Sequence, residues 1–200
     1  RRVPVSLPAW LRWNALICLF YCWAAVVGHM ALAVRSDHSQ NLISLRNFYG
    51  PLRVTKQSAA TTEEMIQLRN GNVVHGREYT APERLCEPTS YYGRRSGIGI
   101  AIQEAGRTRP LKVGVIGLGA GTIAGYGRKG DSFRFYEINP LVKSVASGTF
   151  HYLSCPGEHS IAMGDARLSL EREPSQQLDL LAVDAFTSDA IPLHLLTKEA

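Results

Sequence analysis

The sequence contains only four cysteines in 200 residues, and no two of them have the spacing of a metal or redox motif. Cys18 and Cys22 lie in an apolar run, whereas Cys86 and Cys155 are isolated. The absence of a C-x-x-C motif and of a paired cysteine framework is typical of a reducing compartment. We therefore expect no metal site, and we favour free thiols over a Cys86–Cys155 disulfide, which stays the less favoured alternative.

The chain also has no internal repeat, no low-complexity tract and no long run of one charge. Its net charge of +5 is spread over scattered basic residues, and the largest clusters are pairs such as Arg94-Arg95 and Arg128-Lys129. A nucleic-acid interface usually concentrates its basic residues, so we expect no nucleic-acid partner. The first residue is Arg1 and the last stretch, PLHLLTKEA, has a helical pattern. We expect a fragment of a longer protein.

One long stretch lacks Asp, Glu, Lys and Arg altogether: residues 13–34, WNALICLFYCWAAVVGHMALAV. As a helix, it would be about 33 Å long and could cross a bilayer. A secretory signal is a second interpretation, because Arg1-Arg2 precede the run and Ala31-Leu32-Ala33 resembles a cleavage site. A buried core helix is a third. We favour a membrane span within a 1–40 membrane segment and linker, with lipid as its partner.

The remaining chain divides into two patterns. Residues 41–87 alternate in short strand-like segments with turn signals, which predicts a small β-rich segment of antiparallel hairpins. Residues 88–200 alternate apolar strands with helices, which predicts an α/β domain with a doubly wound, mostly parallel sheet that is incomplete at its C-terminal end. The expected elements are a helix from Pro88 to about Gly106, strand Leu111–Ile116, a short helix from Thr122, strand Ser132–Tyr136, a helix from Asn139 to about Tyr152, and strands Ser160–Met163 and Leu178–Val183.

A glycine-rich loop, GLGAG, follows the first of these strands. Gly117, Gly119 and Gly121 permit a tight turn and a close approach of backbone N–H groups to a ligand. In such sheets, ligands bind beyond the carboxyl ends of the strands, where this loop lies. A tight strand-to-helix turn without a ligand is the alternative. The dinucleotide pattern G-x-G-x-x-G would need glycine at Thr122, but G-x-G-x-x-A from Gly119 keeps an NAD oxidoreductase as a minority alternative.

Three acids follow three successive strands: Glu137, Asp165 and Asp184. A carboxylate in the position of Glu137 can accept hydrogen bonds from a ribose diol. Asp165 is placed to meet an adenine amino group, although it could instead cap the following helix. Asp184 is expected in the same crevice, with closure of a turn as the alternative. Together with the glycine loop, the three acids favour a nucleoside ligand.

These motifs resemble the spermidine synthase (polyamine aminopropyltransferase) family within the class I S-adenosylmethionine-dependent methyltransferase fold. The resemblance rests on VGVIGLGAG, YEINP, GDA and VDAFTSDAIP, with RNGNVVHGREY and PTSYY upstream, and covers about residues 46–200. It is strongest to a bacterial subgroup in which such a domain follows a multi-pass membrane region. The resemblance implies a methyltransferase-like Rossmann sheet and a localisation in the bacterial inner membrane, with the domain facing the cytoplasm, where S-adenosyl donors are supplied.

The resemblance also implies a reaction: transfer of an aminopropyl group from decarboxylated S-adenosylmethionine to a small amine acceptor, without a metal. The sequence leaves the oligomeric state open, with a homodimer as one alternative. Asp184 matches the catalytic aspartate that deprotonates the amine, as an ammonium has no lone pair for attack. The implied donor-binding residues are Gly117, Gly119 and Gly121 around the aminopropyl part, Glu137 at the ribose, and Asp165 with Ala166 at the adenine.

The chain departs from the family pattern at three places. Ala120 stands where synthases usually carry an acid, Tyr92 is followed by Gly93-Arg94-Arg95, and Asp189 lies five residues after Asp184. Tyr92 and Asp189 are therefore weaker candidates for substrate binding, and Tyr92 could simply pack. The alternatives are a methyltransferase that uses S-adenosylmethionine on an unknown small molecule and a non-catalytic S-adenosyl-binding domain attached to a transporter-like membrane region.

Overall fold

The computed structural model describes residues 8–57, 63–186 and 192–198. It separates into two compact units, one ending at Gln40 and the other beginning at Asn41. Helix α1, Ala9–Gln40, belongs to the first unit. Its Ala9–Arg35 stretch has a mean hydropathy of 2.0, and no part of its most apolar window is buried. This helix is long and apolar enough to cross a membrane, but a signal sequence or a core helix of a soluble protein shares that composition.

The second unit starts with an antiparallel sheet of four strands in sequence order. These are β1 Asn41–Asn47, β2 Gly50–Gln57, β3 Met65–Asn70 and β4 Val73–Tyr79. Gly71 takes a positive φ of 56° in the turn between β3 and β4, a conformation that glycine adopts without steric cost. Leu52, Val54 and Leu68 are buried on this sheet, so one of its faces contributes to the core.

A parallel sheet of four strands follows, in the order β7-β6-β5-β8. Its strands are β5 Lys112–Ile116, β6 Ser132–Glu137, β7 Glu158–Met163 and β8 Leu180–Val183. The chain adds strands in one direction from β5 and then returns to place β8 on its other side. Such a reversal opens a crevice at the carboxyl ends of β5 and β8, the neighbouring strands between which the order changes direction. The predicted α/β fold with a parallel sheet is confirmed.

Three further helices accompany the sheet: α2 Gly97–Ala105, α3 Pro140–Thr149 and α4 Ala166–Arg172. Each helix is preceded by a capping residue whose side-chain oxygen accepts a backbone N–H of the first turn. These residues are Ser96, Asn139 and Asp165, in that order. These caps satisfy donors that have no partner within a helix. Side chains of both sheets, such as Val54 and Phe135, form one contiguous apolar core. The antiparallel sheet is therefore held against the α/β part.

The helix expected from Pro88 begins only at Gly97. A 3-10 turn at Ser90–Tyr92 comes first, and Ser90 has a positive φ of 57° that an α-helix does not allow. Downstream, Thr122–Tyr126 is a 3-10 rather than an α-helix. It stops at Gly127, where any Cβ would lie 2.0 Å from the Pro156 carbonyl oxygen. The first of these helices therefore starts later than expected, whereas the short helix expected from Thr122 is present as a 3-10 helix.

The expectation of free thiols at Cys86 and Cys155 is wrong. The two residues form a disulfide with their Cα atoms 5.8 Å apart, although they are 69 positions apart in sequence. They meet because the segment after β4 packs on the 3-10 turn Tyr152–Ser154, where the Tyr152 hydroxyl donates to the Glu87 carbonyl at 3.0 Å. Spacing alone could not reveal a pair that tertiary packing creates. Because these two cysteines are paired, they no longer support the inference of a reducing compartment.

Candidate functional site

A cavity of about 750 Å³ lies between the antiparallel sheet and the carboxyl ends of the parallel strands. This volume is within the range of about 300–1,000 Å³ that is usual for small-molecule sites. Residues of β2, β3 and β4 form one side of it, among them Leu52, Leu68 and His75. The other side contains six of the residues predicted from the sequence: Gly117, Gly119, Glu137, Asp165, Ala166 and Asp184.

The glycine loop after β5 makes room first for the protein's own backbone. A Cβ on Gly117, which has a φ of +98°, would lie 2.6 Å from the Asp184 carbonyl oxygen. A Cβ on Gly119, at φ +54°, would lie 2.5 Å from the carbonyl oxygen of His75. That carbonyl also accepts the Ala120 N–H at 3.2 Å. The two glycines therefore let β4 and the residue after β8 approach the backbone of the loop closely.

Gly121 has a different place from the other two glycines. It adopts a left-handed conformation with a φ of +84° and caps the 3-10 helix Thr122–Tyr126. Its N–H donates to the Leu118 carbonyl at 2.9 Å, and its residue is not among those that line the cavity. Gly121 therefore stabilises the turn of the loop that carries Gly117 and Gly119 and does not itself line the cavity.

Glu137 ends β6 and is buried, with 7% of its surface exposed. One carboxylate oxygen accepts the Leu118 N–H at 3.0 Å, and the other accepts the Asn139 N–H at 2.7 Å. Burial raises the pKa of Glu137, while these backbone hydrogen bonds oppose the rise. Each oxygen has a second lone pair, so the carboxylate can hold the glycine loop and still accept a hydroxyl hydrogen from the cavity.

Asp165 follows β7 and has two partners in the protein. Its Oδ1 accepts the Leu168 N–H at 3.0 Å and so caps α4, while Oδ2 lies 3.0 Å from His194 Nε2. The backbone hydrogen bond from Leu168 is the largest cause of a lowered pKa for Asp165, and His194 adds to it. The cap that the sequence offered as an alternative is therefore present, and the same side chain also borders the cavity beside Ala166.

Asp184 follows β8, where its N–H donates to the Ile116 carbonyl at 2.8 Å and extends the strand pairing. The Tyr92 hydroxyl donates to Asp184 Oδ2. Burial raises the pKa of Asp184 to about 6, although the hydrogen bond from Tyr92 lowers it. A carboxylate has about four lone-pair sites, so Asp184 can accept a further proton from the cavity while it holds Tyr92.

Tyr92 is held in turn by its neighbours. Its side chain is buried, its hydroxyl lies 3.1 Å from that of Tyr91, and its carbonyl accepts the Tyr126 hydroxyl. Burial is the largest cause of a strongly raised pKa at Tyr92, and the negative charge of Asp184 adds to it. Tyr92 therefore stays a neutral donor at physiological pH. Its hydroxyl acts on Asp184, and the residue itself is not among the cavity-lining residues.

Two functional candidates were missed by sequence reasoning. His75 lines the cavity from β4, and burial lowers the pKa of its imidazole. His194 lines it from the segment 192–198. Both were single histidines without a motif spacing, so no pattern in the sequence distinguished them. Asp189 lies outside the described residues. Over residues 8–57, 63–186 and 192–198, no cluster of three or more His, Cys, Asp or Glu side chains is placed to hold a metal.

Comparisons with known proteins agree with this architecture. The chain is 30% identical over 97 residues to a polyamine aminopropyltransferase of Vibrio vulnificus, a match that covers 46% of this chain and 32% of that protein. It is similar in structure to a probable spermidine synthase from Corynebacterium glutamicum, with a TM-score of 0.55 and 13% identity. That superposition covers 78% of this chain and 56% of the other. No profile of a known protein family matches the sequence.

The sequence match to the aminopropyltransferase confirms the resemblance to the spermidine synthase family that the motifs predicted. At 13% identity, the structural match demonstrates the shared fold alone. The chain spans about a third of the length of the curated relative, with 32% of that protein covered.

Proposed function

We propose that this chain is a spermidine synthase-like transferase, which moves an aminopropyl group from decarboxylated S-adenosylmethionine to an amine acceptor. One observation carries the proposal. The half-buried Asp184 shares a cavity with the glycine loop and Glu137, and a neutral tyrosine hydroxyl donates a hydrogen bond to its carboxylate. This arrangement combines a nucleoside-binding edge with a group that can take a proton from an amine.

The donor would lie along the carboxyl ends of the parallel strands. Glu137 would accept hydrogen bonds from the two ribose hydroxyls, and Asp165 with Ala166 would border the adenine. Gly117 and Gly119 would lie against the aminopropyl and sulfonium part, and Gly121 would keep that loop in shape. The cavity volume of about 750 Å³ suits a ligand of this size.

The chemistry assigned to Asp184 is one proton transfer. The acceptor ammonium gives a proton to the carboxylate, which frees the lone pair of its nitrogen. That nitrogen attacks the carbon attached to the sulfonium, an N–C bond forms, and the C–S bond breaks as its electrons neutralise the sulfur. The products are a protonated secondary amine and 5′-methylthioadenosine, and Asp184 then loses its proton to solvent. Because its pKa is about 6, the carboxylate is mostly ionised again at neutral pH.

Tyr92 contributes through Asp184. Its hydroxyl fixes one oxygen of the carboxylate, which leaves the other lone pairs to the acceptor. We keep Asp189 as a candidate for the far end of the acceptor on the basis of its position in the sequence. Polyamines are polycations, and Ala120 removes the acid that synthases usually carry in the glycine loop, so the acceptor is proposed only as a small amine.

We further propose that α1 tethers the protein to the bacterial inner membrane and that the domain faces the cytoplasm, where S-adenosyl donors are made. The Cys86–Cys155 disulfide opposes this orientation, since such bonds persist mainly in oxidising compartments. Carbonate washing of membranes tests the tether, and release of the chain by carbonate contradicts it. The orientation is tested with Lys198→Cys in a variant whose Cys18 and Cys22 are replaced by serine. If an impermeant maleimide labels this cysteine in intact cells, the domain lies outside the cytoplasm and the proposed orientation is contradicted.

The activity is tested on the full chain in detergent. Decarboxylated S-adenosylmethionine is incubated with a panel of primary monoamines and diamines, and release of 5′-methylthioadenosine is measured. Release that depends on an amine supports the proposal. Methylation of an acceptor by S-adenosylmethionine would indicate a methyltransferase, and donor binding without any transfer would indicate a non-catalytic domain. A parallel titration with NAD tests the dinucleotide alternative.

A further inference from the structure

Both oxygens of the Asp165 carboxylate already have partners within the protein. Its Oδ1 caps α4, and its Oδ2 lies 3.0 Å from His194 Nε2. A nucleobase amino group that approaches Asp165 therefore meets an imidazole that is already bonded to it. His194 belongs to the cavity wall as well.

The pairing decides which nitrogen of His194 carries hydrogen. An ionised carboxylate only accepts hydrogen bonds, so Nε2 must donate to Asp165 Oδ2. The lowered pKa of Asp165 keeps that carboxylate ionised at neutral pH. In the neutral imidazole, Nδ1 then has no hydrogen and is an acceptor. Asp165 thus fixes the tautomer of His194 and makes its other nitrogen complementary to an amino group.

Packing holds this histidine at the wall. His194 lies on a 3-10 turn, Leu193–Leu195, and Leu195 packs against the buried cluster of Ile116, Tyr136 and Ala166. Arg167 Nη1 approaches both the His194 carbonyl and Thr197 Oγ1 at 3.5 Å, which ties the segment to α4. Leu195 and Ala166 both line the cavity, so apolar surface for the faces of a flat ring lies beside the polar pair.

We infer that His194 determines the nucleobase, with Nδ1 accepting a hydrogen of the 6-amino group of adenine, and that Asp165 is the positioning residue that fixes its tautomer. A hypoxanthine ring carries a 6-oxo group in that place, which is an acceptor and would face another acceptor. The inference rests on the proposed adenosyl ligand and adds to it the residue that distinguishes adenine from other purines.

The test needs binding alone. 5′-Methylthioadenosine and its inosine counterpart are titrated by calorimetry into the full chain in detergent. The unsubstituted protein should bind the adenosine compound at least about tenfold more tightly, which corresponds to about 1.4 kcal/mol. His194→Ala should weaken adenosine binding about tenfold and leave inosine binding unchanged. Leu193→Ala is the matched control, because Leu193 lies on the same turn and is 81% exposed.

Asp165→Asn gives a readout that a purely structural role does not move. Asparagine is also a good helix cap, so its oxygen should keep the Leu168 N–H and turn its amide hydrogens toward His194. Nε2 would then accept, Nδ1 would carry the hydrogen, and the preference should shift from adenosine toward inosine. If His194→Ala keeps the full preference for adenosine, the inference about His194 is overturned and the proposed function is not. Binding of neither nucleoside by the unsubstituted chain overturns the proposed function together with it.

Discussion

Reduction of the Cys86–Cys155 bond should destabilise the domain by an amount that follows from the loop it closes. The two cysteines are 69 positions apart. In the chain-entropy treatment, a crosslink that closes a loop of about 70 residues stabilises the folded state by about 4 kcal/mol. The effect should be large because the bond joins the segment that leads into Tyr92 to the turn after α3, two regions far apart in sequence.

The perturbation is a reductant, applied to a variant in which the free Cys18 and Cys22 are replaced by serine. Unfolding in urea should be followed by near-UV circular dichroism of tyrosine, because Trp10, Trp13 and Trp23 all lie in α1 and tryptophan fluorescence would not report on the domain. We expect the free energy of unfolding to fall by about 4 kcal/mol on reduction. Cys86→Ser should show the same fall without reductant.

Cys86 is the better position for this substitution because it is exposed, whereas Cys155 is 4% exposed and its replacement would add a packing defect. Identical unfolding curves with and without reductant, together with two free thiols found by mass spectrometry of the alkylated protein, would contradict a stabilising Cys86–Cys155 disulfide. The cysteines would then be reduced in the native protein, and the objection to a cytoplasmic orientation would disappear.

Three further predictions concern the cavity. Glu137→Ala should weaken donor binding about ten- to a hundredfold by calorimetry, since a charge-assisted hydrogen bond contributes about 1.5–3 kcal/mol; unchanged affinity removes Glu137 from the site. The transfer rate should rise with pH through about 6 as Asp184 ionises. The free energy of unfolding should fall as the pH rises from about 4 to 6, because the folded state holds that proton more tightly than the unfolded one. Asp184→Asn should flatten both pH profiles. Gly119→Ala should cost about 2 kcal/mol or more of stability in urea unfolding, because its Cβ would meet the His75 carbonyl at 2.5 Å, whereas Gly148→Ala, with open space around it, should not destabilise.

Local patterns were sufficient to predict most of the fold. The alternation of apolar strands with capped helices predicted β5 to β8 and the parallel sheet, and Asn139-Pro140 marked the start of α3. These features are determined by neighbouring residues, through side-chain periodicity and the capping of free N–H groups. The sequence is therefore informative wherever the interactions are short in range.

The sequence was less informative where distant segments meet. The helix expected from Pro88 begins only at Gly97, and the 3-10 turn before it carries Tyr92, which contacts Asp184, 92 positions away. The disulfide and the cavity-lining His75 and His194 depend on tertiary packing in the same way. An isolated cysteine or histidine belongs to no sequence motif, so its role cannot be predicted before the fold is known.

The glycine loop illustrates both cases. Its glycines correctly predicted a tight turn at the carboxyl edge of the sheet. Glycine is required there partly by the protein's own packing, since the backbones of His75 and Asp184 occupy the space beside Gly119 and Gly117. A ligand and the protein's own strands both require a loop without side chains, and the sequence alone could not separate these two requirements.

The role of Asp184 is measured by comparing Asp184→Asn with the unsubstituted protein, in donor binding and in single-turnover aminopropyl transfer. The variant keeps the shape of the side chain and removes its charge. We expect the dissociation constant of decarboxylated S-adenosylmethionine to stay within about threefold and transfer to slow by about 10²–10⁴-fold, the usual contribution of a positioned acid–base group. Asp179→Asn, outside the cavity lining, serves as the control. Transfer by Asp184→Asn at the unsubstituted rate would contradict a catalytic role and leave Asp184 with a structural one.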